Sequence, residues 1–440
     1  MSGAELAGRI VRKLQASGHQ GWLVGGCVRD RLLGREAGDW DVATDARPER
    51  IMELFPRSGR VGAHFGVVLV RDEGCEVEVA TFRSDRAYSD GRRPDSVLFE
   101  SDPRQDALRR DFTVNALFLD PVTGRLLDFV DGRTDLQRRL IRAIGDPEAR
   151  FAEDRLRLLR AVRFAARLGF EIEPVTRDAV RHAHALIHTV SAERIRDELI
   201  RILTEGGARR GFELLDETGL LAAILPEVAA MKGVAQPPEY HPEGDVWTHT
   251  LMLLEMLERP TATLALGALL HDVGKPATFR VAERIRFDGH VEAGVEIARR
   301  ILHRLRFSNH DIGQVLALVA NHMRFKDAPD MRASTLKRFM RLPRFEEHLA
   351  LHRLDCLASN GRLETWEMVK SRYELMPPEE LKPPALISGD DLIRAGYTPG
   401  PRFKKILAAV EDASLEGRIG TREEALALVR EQFGAPTDGS

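Results

Sequence analysis

The chain has 440 residues, 43% apolar and 30% charged, with a formal net charge of −3. That length and composition predict two to four globular domains rather than a disordered or fibrous chain. No run approaches eighteen apolar residues, so no membrane span is expected, and the small net charge leaves any nucleic-acid binding to local patches.

Residues 1–18 read as an amphipathic helix with Ile10 and Leu14 on one face, and they carry the acidic Glu5 where a signal peptide would need an apolar core. Cys27, Cys75 and Cys356 are scattered without disulfide or metal spacing, which suits a reducing cytoplasm. All but nine of the 65 basic residues are arginine. Arginine suits phosphate recognition, although a GC-rich genome gives the same bias.

Residues 21–44, GWLVGGCVRDRLLGREAGDWDVAT, combine a Gly-Gly turn with two carboxylates, Asp39 and Asp41, around Trp40. On a strand, residues i and i+2 share a face, so both carboxylates are expected to point one way. Two aimed carboxylates suit Mg²⁺ that also carries substrate phosphates. Bare glycine at Gly26 lets a triphosphate approach the backbone amides, and Arg29 adds a fixed positive charge.

Residues 65–70 (FGVVLV), 77–82, 114–119 and 126–130 read as strands. Glu76 and Glu78 share one strand face. Residues 83–99, RSDRAYSDGRRPDSVLF, read as a polar, mobile loop beside the site. In 108–117, LRRDFTVNAL, Arg110 is placed to grip a phosphate. Residues 1–145 therefore predict an α/β head with a small, mostly antiparallel sheet.

After Gly145, helical periodicity dominates, so the fold class is α+β. The segment 151–168 reads as one helix on which Asp154, Arg157, Arg160 and Arg163 form a charged stripe at spacings of three. His249, His271–Asp272, His290, His322 and Asp355 follow among apolar helical segments. Histidine with carboxylate suits several divalent metals, which leaves the ion undecided. Pro and Gly clusters divide this region, giving a neck at 146–235, a body at 236–375 and a tail at 376–440. Arg402, Lys404 and Lys405 form a small basic cluster in the tail, suited to RNA phosphates or to a solvated helix start.

LVGGCVRDRLLG followed by GDWDVAT, then RRDFTVNA and EDRLR, resembles the class II tRNA nucleotidyltransferases, which include CCA-adding enzymes and bacterial poly(A) polymerases. The histidine order H…HD…H…H, with Asp355 closing the set, resembles an HD phosphohydrolase domain. The resemblance implies a Mg²⁺-dependent enzyme that adds C and A from CTP and ATP to a tRNA 3′ end. By the same resemblance Asp39 and Asp41 hold Mg²⁺, with Glu78 as a third catalytic carboxylate. Gly26, Arg29 and Arg110 then hold the triphosphate, Asp154 and Arg157 read the base, and Arg160 and Arg163 support the nucleotide. His249, His271, Asp272, His290, His322 and Asp355 are implied ligands of a second divalent metal. Residues 83–99 resemble the flexible loop of A-adding members. The alternatives are A addition or poly(A) synthesis alone, or mainly HD phosphohydrolase chemistry.

Overall fold

A computed structural model describes residues 1–60, 66–86, 96–239 and 241–435. The chain forms two compact units. The first comprises Met1–Ala230 with Leu257–Pro260 and Arg304–Phe307, and the second comprises Met231–Met256, Thr261–His303 and Ser308–Ser440.

The first unit opens with α1 (Gly3–Ala16), started by a capping box in which Ser2 and Glu5 satisfy each other's backbone N–H. Next come β1 (Gly21–Val24), α2 (Gly26–Leu32), β2 (Asp41–Thr44), α3 (Pro48–Leu54), β3 (Ser58–Arg60), β4 (Val67–Asp72) and β5 (Cys75–Thr81). β6 (Arg83–Arg86), β7 (Ser96–Phe99), α4 (Pro103–Leu108), β8 (Leu117–Leu119), β9 (Leu126–Asp128) and α5 (Gly132–Arg138) complete the head. The main sheet has the order β3-β4-β5-β2-β1-β8-β9. All its neighbouring strands are antiparallel except β2 and β5, which are parallel.

The two faces of this sheet have different tasks. Leu23, Val42, Val77 and Val79 pack with Leu6, Ile10, Val11 and Leu14 of α1 in one core. Trp22, Val24 and Ala43 pack with Phe82 and Phe118 on the other side. Strand alternation therefore places Asp41 and Glu78 on the face away from α1.

Several elements differ from their expected bounds. The strand expected at 65–70 runs Val67–Asp72, with Phe65 outside the described residues, and the one at 77–82 runs Cys75–Thr81. Residues Thr113–Asn115 form a 3₁₀ turn ahead of β8. There Thr113 donates to Asp135, and Asn115 donates to Asp111. Such local side-chain bonds compete with a strand ladder. β9 ends at Asp128, whose carboxylate accepts the N–H groups of Val130, Gly132 and Arg133 and turns the chain into α5. The segment read as a loop at 83–99 is paired at its ends, since β6 and β7 form an antiparallel ribbon; residues 87–95 lie outside the described residues. The single helix expected over 151–168 is two: α6 (Pro147–Glu153) and α7 (Arg157–Leu168).

In the second unit the helices Val246–Glu255, Ala262–Leu270, Asn309–Asn321 and Phe345–Ala358 carry apolar faces inward. The tail packs Leu392, Ile406, Val410 and Val429 into its own small core. Among the described residues no helix is long and apolar enough to cross a membrane.

Gly274 sets one close approach in this unit. A Cβ there would lie 2.1 Å from the His290 carbonyl oxygen and 2.5 Å from the Gly294 nitrogen. Gly274→Ala is expected to lower stability by about 2–3 kcal/mol in denaturant unfolding, because backbone must move to make room. Gly313→Ala is the control: that helical glycine has nothing within 4 Å of its added Cβ. It should gain up to ~1 kcal/mol from helix propensity.

Candidate active site and metal centre

Parallel pairing of β2 with β5 sets Asp41 directly beside Glu78. Asp39 lies in the bend before β2 rather than on it, so the strand argument that joined Asp39 to Asp41 does not apply. The two are nonetheless coupled. Burial pushes the Asp41 carboxyl up to about 6, with Glu78 and Asp39 adding to the rise and Arg110 opposing it. Repulsion from the other two carboxylates thus adds to burial in disfavouring the ionised form of Asp41.

Of the Gly-Gly pair, Gly25 is the one beside Asp41 and Arg110. Gly25 has φ 78°, and a Cβ on it would lie 3.4 Å from Asp41 Oδ2 and 3.5 Å from Arg110 Nη1. The chain thus passes between a carboxylate and a guanidinium in a backbone conformation that favours glycine. Gly26 is the first residue of α2. Arg110 is aimed by Asp106, which accepts from its Nε at 3.2 Å and its Nη2 at 3.0 Å. Burial would raise the Asp106 carboxyl, but Arg109 and Arg110 outweigh it and hold the carboxyl below its usual range. Asp106 lies on α4 and Arg110 just past its end, and their spacing of four is the one local signal of this pairing.

Arg29 is not a free cation. It is 2% exposed, with Nε donating to Asp30 at 2.8 Å and Nη1 donating to Asn115 at 2.7 Å. It therefore ties α2 to the turn before β8.

The charged stripe of the neck does not project as one row. Asp154 caps α6 in an extended conformation, and α7 begins only at Arg157. Asp154 Oδ1 accepts the Leu156 N–H at 3.1 Å, and Oδ2 accepts from Arg194 at 2.8 Å. Arg194, on the helix Ala192–Thr204, carries no local motif signal; only the fold brings it to Asp154. Arg157 donates to Glu153 at 2.5 Å and to the carbonyls of Arg150 and Arg109 at 2.9 and 3.3 Å. Arg160 pairs with Asp111, donating from Nε at 2.8 Å. Burial opposes the ionisation of Asp111, yet Arg160 and Asn115 hold its carboxyl well below the usual range. Arg163 points elsewhere, donating to Glu198 at 2.6 Å and Glu205 at 3.3 Å. Arg163 and Glu198 are 3% and 5% exposed, so losing either partner would strand a buried charge.

The second unit gathers all six residues expected for its metal. His249, His271 and Asp355 form one group of converging ligand atoms, and Asp272, His290 and His322 form another. His249 Nε2 lies 3.1 Å from Asp355 Oδ1. Nε2 of His290 and of His322 lie 3.9 and 3.8 Å from Asp272 Oδ1. The Nδ1 atoms of His271, His290 and His322 are engaged by the carbonyls of Ala268, Phe287 and Val319. Their Nε2 atoms are buried without a hydrogen-bond partner. Buried imidazole nitrogens left open beside carboxylates are the donors a divalent ion takes. Burial, then His271, pushes His322 down to about 4, so it is neutral and able to ligate at pH 7. His249 resists its burial and is held up at about 9 by bonds to Asp355 and Glu243. Lys275 Nζ lies 2.7 Å from Asp272. A cavity of about 610 Å³ lies here, with Lys275, His290, His322, Lys326 and Asp355 among its lining.

In the tail, Arg402 donates to the Phe433 carbonyl, whereas Lys404 and Lys405 are exposed. The three cysteines are free thiols.

Three family models match the chain: the poly A polymerase head domain over residues 21–142, the probable RNA and SrmB-binding site of polymerase A over 169–232, and the HD domain over 245–358. The CCA-adding enzyme of Lactobacillus johnsonii is 31% identical over 420 residues, covering 95% of this chain and 94% of that protein. That of Levilactobacillus brevis is 32% identical over 422 residues, covering 96% of each. The crystal structure of the Bacillus stearothermophilus CCA-adding enzyme in complex with CTP matches with a TM-score of 0.77 at 27% identity, covering 98% of both chains. The Thermotoga maritima CCA-adding enzyme complexed with tRNA shares the fold, with a TM-score of 0.60 at 20% identity over 98% of this chain and 95% of that one. With near-complete coverage by such relatives, the chain belongs to the CCA-adding enzyme family of tRNA nucleotidyltransferases.

Proposed function

We propose that this chain adds CMP and AMP to the 3′ end of tRNA, using CTP and ATP without a nucleic-acid template. The observation that carries this reading is the carboxylate set built by the β2–β5 pairing, with Asp39 beside it and Gly25 and Arg110 at its edge. We assign nucleotidyl transfer to the head at 1–145 and base selection to the neck at 146–235. The body at 236–375 carries the second metal site, and the tail at 376–440 contacts RNA through Lys404 and Lys405.

Asp39 and Asp41 are the proposed Mg²⁺ ligands, with Glu78 supporting them, since hard oxygen donors match that ion. Bound there, Mg²⁺ supplies charge stabilisation at the α-phosphate and the departing pyrophosphate. The Gly25–Gly26 backbone and Arg110 hold the triphosphate, while Arg29 keeps α2 in place beneath it. Asp154 and Arg157 read the base by exchanging Arg194 and Glu153 for its edge. Ionised Asp only accepts and Arg only donates. Cytosine and adenine both offer an exocyclic amine beside a ring-nitrogen acceptor, which that pair satisfies. Uracil and guanine would set a carbonyl against Asp154, at a cost of roughly 1–3 kcal/mol or more.

The test uses tRNA lacking one, two or three terminal nucleotides, with each of the four triphosphates offered singly and CTP and ATP offered together. Two C additions followed by one A are expected. Addition of A alone, whatever the end, would replace this reading with A-adding or poly(A) synthesis. Asp41→Ala should lose at least about tenfold in rate, equivalent to ~1.4 kcal/mol. Asp154→Ala should relax discrimination against UTP and GTP.

The raised Asp41 carboxyl gives a signed pH effect. Between 3.8 and about 6 the folded chain holds a proton that the unfolded chain releases. Stability without metal should therefore fall as pH rises through that window. Mg²⁺ requires the ionised form, so its affinity should weaken below about pH 6, and melting curves with Mg²⁺ or chelator at pH 5 and 7.5 should show stabilisation by Mg²⁺ mainly at the higher pH.

A second activity is favoured by the open imidazoles and the cavity of the second unit: metal-dependent phosphohydrolysis. A bound divalent ion there would activate water against a phosphate ester. His271→Ala and Asp272→Ala should abolish hydrolysis of a phosphomonoester or a 2′,3′-cyclic phosphate, assayed with Mg²⁺, Mn²⁺, Ni²⁺ and Co²⁺. Both variants should keep nucleotide addition. Absence of hydrolysis by the unaltered chain with every ion would remove this second activity.

A further inference from the structure

One carboxylate near the second metal site lies outside the six expected ligands. Glu243 sits in the HPEGD segment that precedes the helix Val246–Glu255. Its Oε1 is 2.7 Å from His249 Nδ1 and 2.8 Å from His241 Nδ1. The Glu243 side chain is 5% exposed and His249 is fully buried. The two histidine rings meet edge to face, with centroids 5.0 Å apart. Glu243 therefore accepts two N–H groups on one oxygen, one of them from a residue whose other nitrogen faces Asp355 at 3.1 Å.

Two chemistries can bring a histidine, a carboxylate and a second histidine together: a shared metal, or hydrogen bonding. Ligand atoms on one tetrahedral metal stand roughly 3.3 Å apart, because each bond is about 2.0 Å long. Separations of 2.7 and 2.8 Å are too short for that and match charge-assisted N–H···O bonds. Glu243 is thus an acceptor for His249 and not a ligand of its own ion.

We propose that Glu243 is the positioning residue of the second metal site. It holds the Nδ1 proton of His249, so that an ion replacing the proton Nε2 shares with Asp355 is ligated by Nε2 beside His271 and Asp355. His241 takes part by donating to the same oxygen and holding the carboxylate in place. An acceptor behind a ligating histidine fixes its tautomer and ring orientation and raises its basicity, and its loss typically costs 10–100-fold in metal affinity. The other three histidines of the site have backbone carbonyls in this role, at Ala268, Phe287 and Val319. His249 alone among the four has a carboxylate there. The inference rests on the reading of this site as a metal centre.

Ni²⁺ is the probe, since imidazole donors suit it and an all-carboxylate head site suits it less. Calorimetric titration of the full chain is compared for the unaltered protein, Glu243→Ala and Glu243→Gln, with nucleotide addition and thermal unfolding as controls. Glu243→Ala should raise the Ni²⁺ Kd by 10–100-fold. Glu243→Gln keeps an acceptor oxygen and should recover most of that loss, to within about fivefold of the unaltered chain. Nucleotide addition should stay within twofold in both. If Glu243→Ala binds Ni²⁺ as tightly as the unaltered chain, or if Glu243→Gln fails to recover affinity while still folding, the positioning role is overturned. If the unaltered chain takes no Ni²⁺, it is the metal-centre reading that fails, and this inference falls with it.

Discussion

The head depends on one parallel pairing in an otherwise antiparallel sheet. β2 pairs antiparallel with β1 on one side and parallel with β5 on the other, and β5 arrives after α3, β3 and β4 have been laid down. A parallel pair needs such a crossover. The result is that Asp41 and Glu78, 37 positions apart in the chain, occupy the same register and the same face. Both strands are held by the α1 core through Val42, Val77 and Val79 on the opposite face. Apolar packing on one side thereby supplies the force that keeps mutually repelling carboxylates together on the other.

Around that site, arginine does two kinds of work. Arg29, Arg160 and Arg163 each have a carboxylate partner, and those partners, Asp30, Asp111 and Glu198, are buried. Such pairs fix the relative placement of α2, the turn before β8, α7 and the helix Ala192–Thr204 within the first unit. Arg110 and Arg157 are also paired, but they sit where exchange of a partner for a ligand is chemically plain: Arg110 beside Gly25 and Asp41, Arg157 beside Glu153 and the α6–α7 break. A guanidinium with five donors can hold a carboxylate and present its remaining edge.

The second unit solves a different problem. It buries His249, His271, Asp272 and His322 among apolar helices, where an unpaired charge is costly. The cost is limited by burial holding His290 and His322 below the usual imidazole range and by pairing Asp272 with Lys275 and Asp355 with His249. What is left over is a set of Nε2 atoms, of His271, His290 and His322, with no hydrogen-bond partner beside the carboxylate of Asp272. Polar atoms left open in a core are uncommon, and these converge in groups that could hold a metal ion.

The sequence by itself determined the α+β class, the order of strands before helices, and the residue types of both sites. Those properties are local: periodicity, glycine pairs and the spacing of His-Asp motifs are set within a few residues. It also singled out Asp41 and the six residues that the second unit gathers, because each sits in a short segment whose chemistry is legible alone. Tertiary structure decided the rest. β-register sets Glu78 beside Asp41, and a positive φ accompanies the close approach of Gly25 to Asp41. Arg163 is held by Glu198, a buried partner 35 positions away. Asp154 left the helix because α6 ends at Glu153, and its own partner, Arg194, is 40 positions on. A stripe at helical spacing reports which side chains share a face, but the partner that captures each one is fixed by elements that only the folded chain brings together.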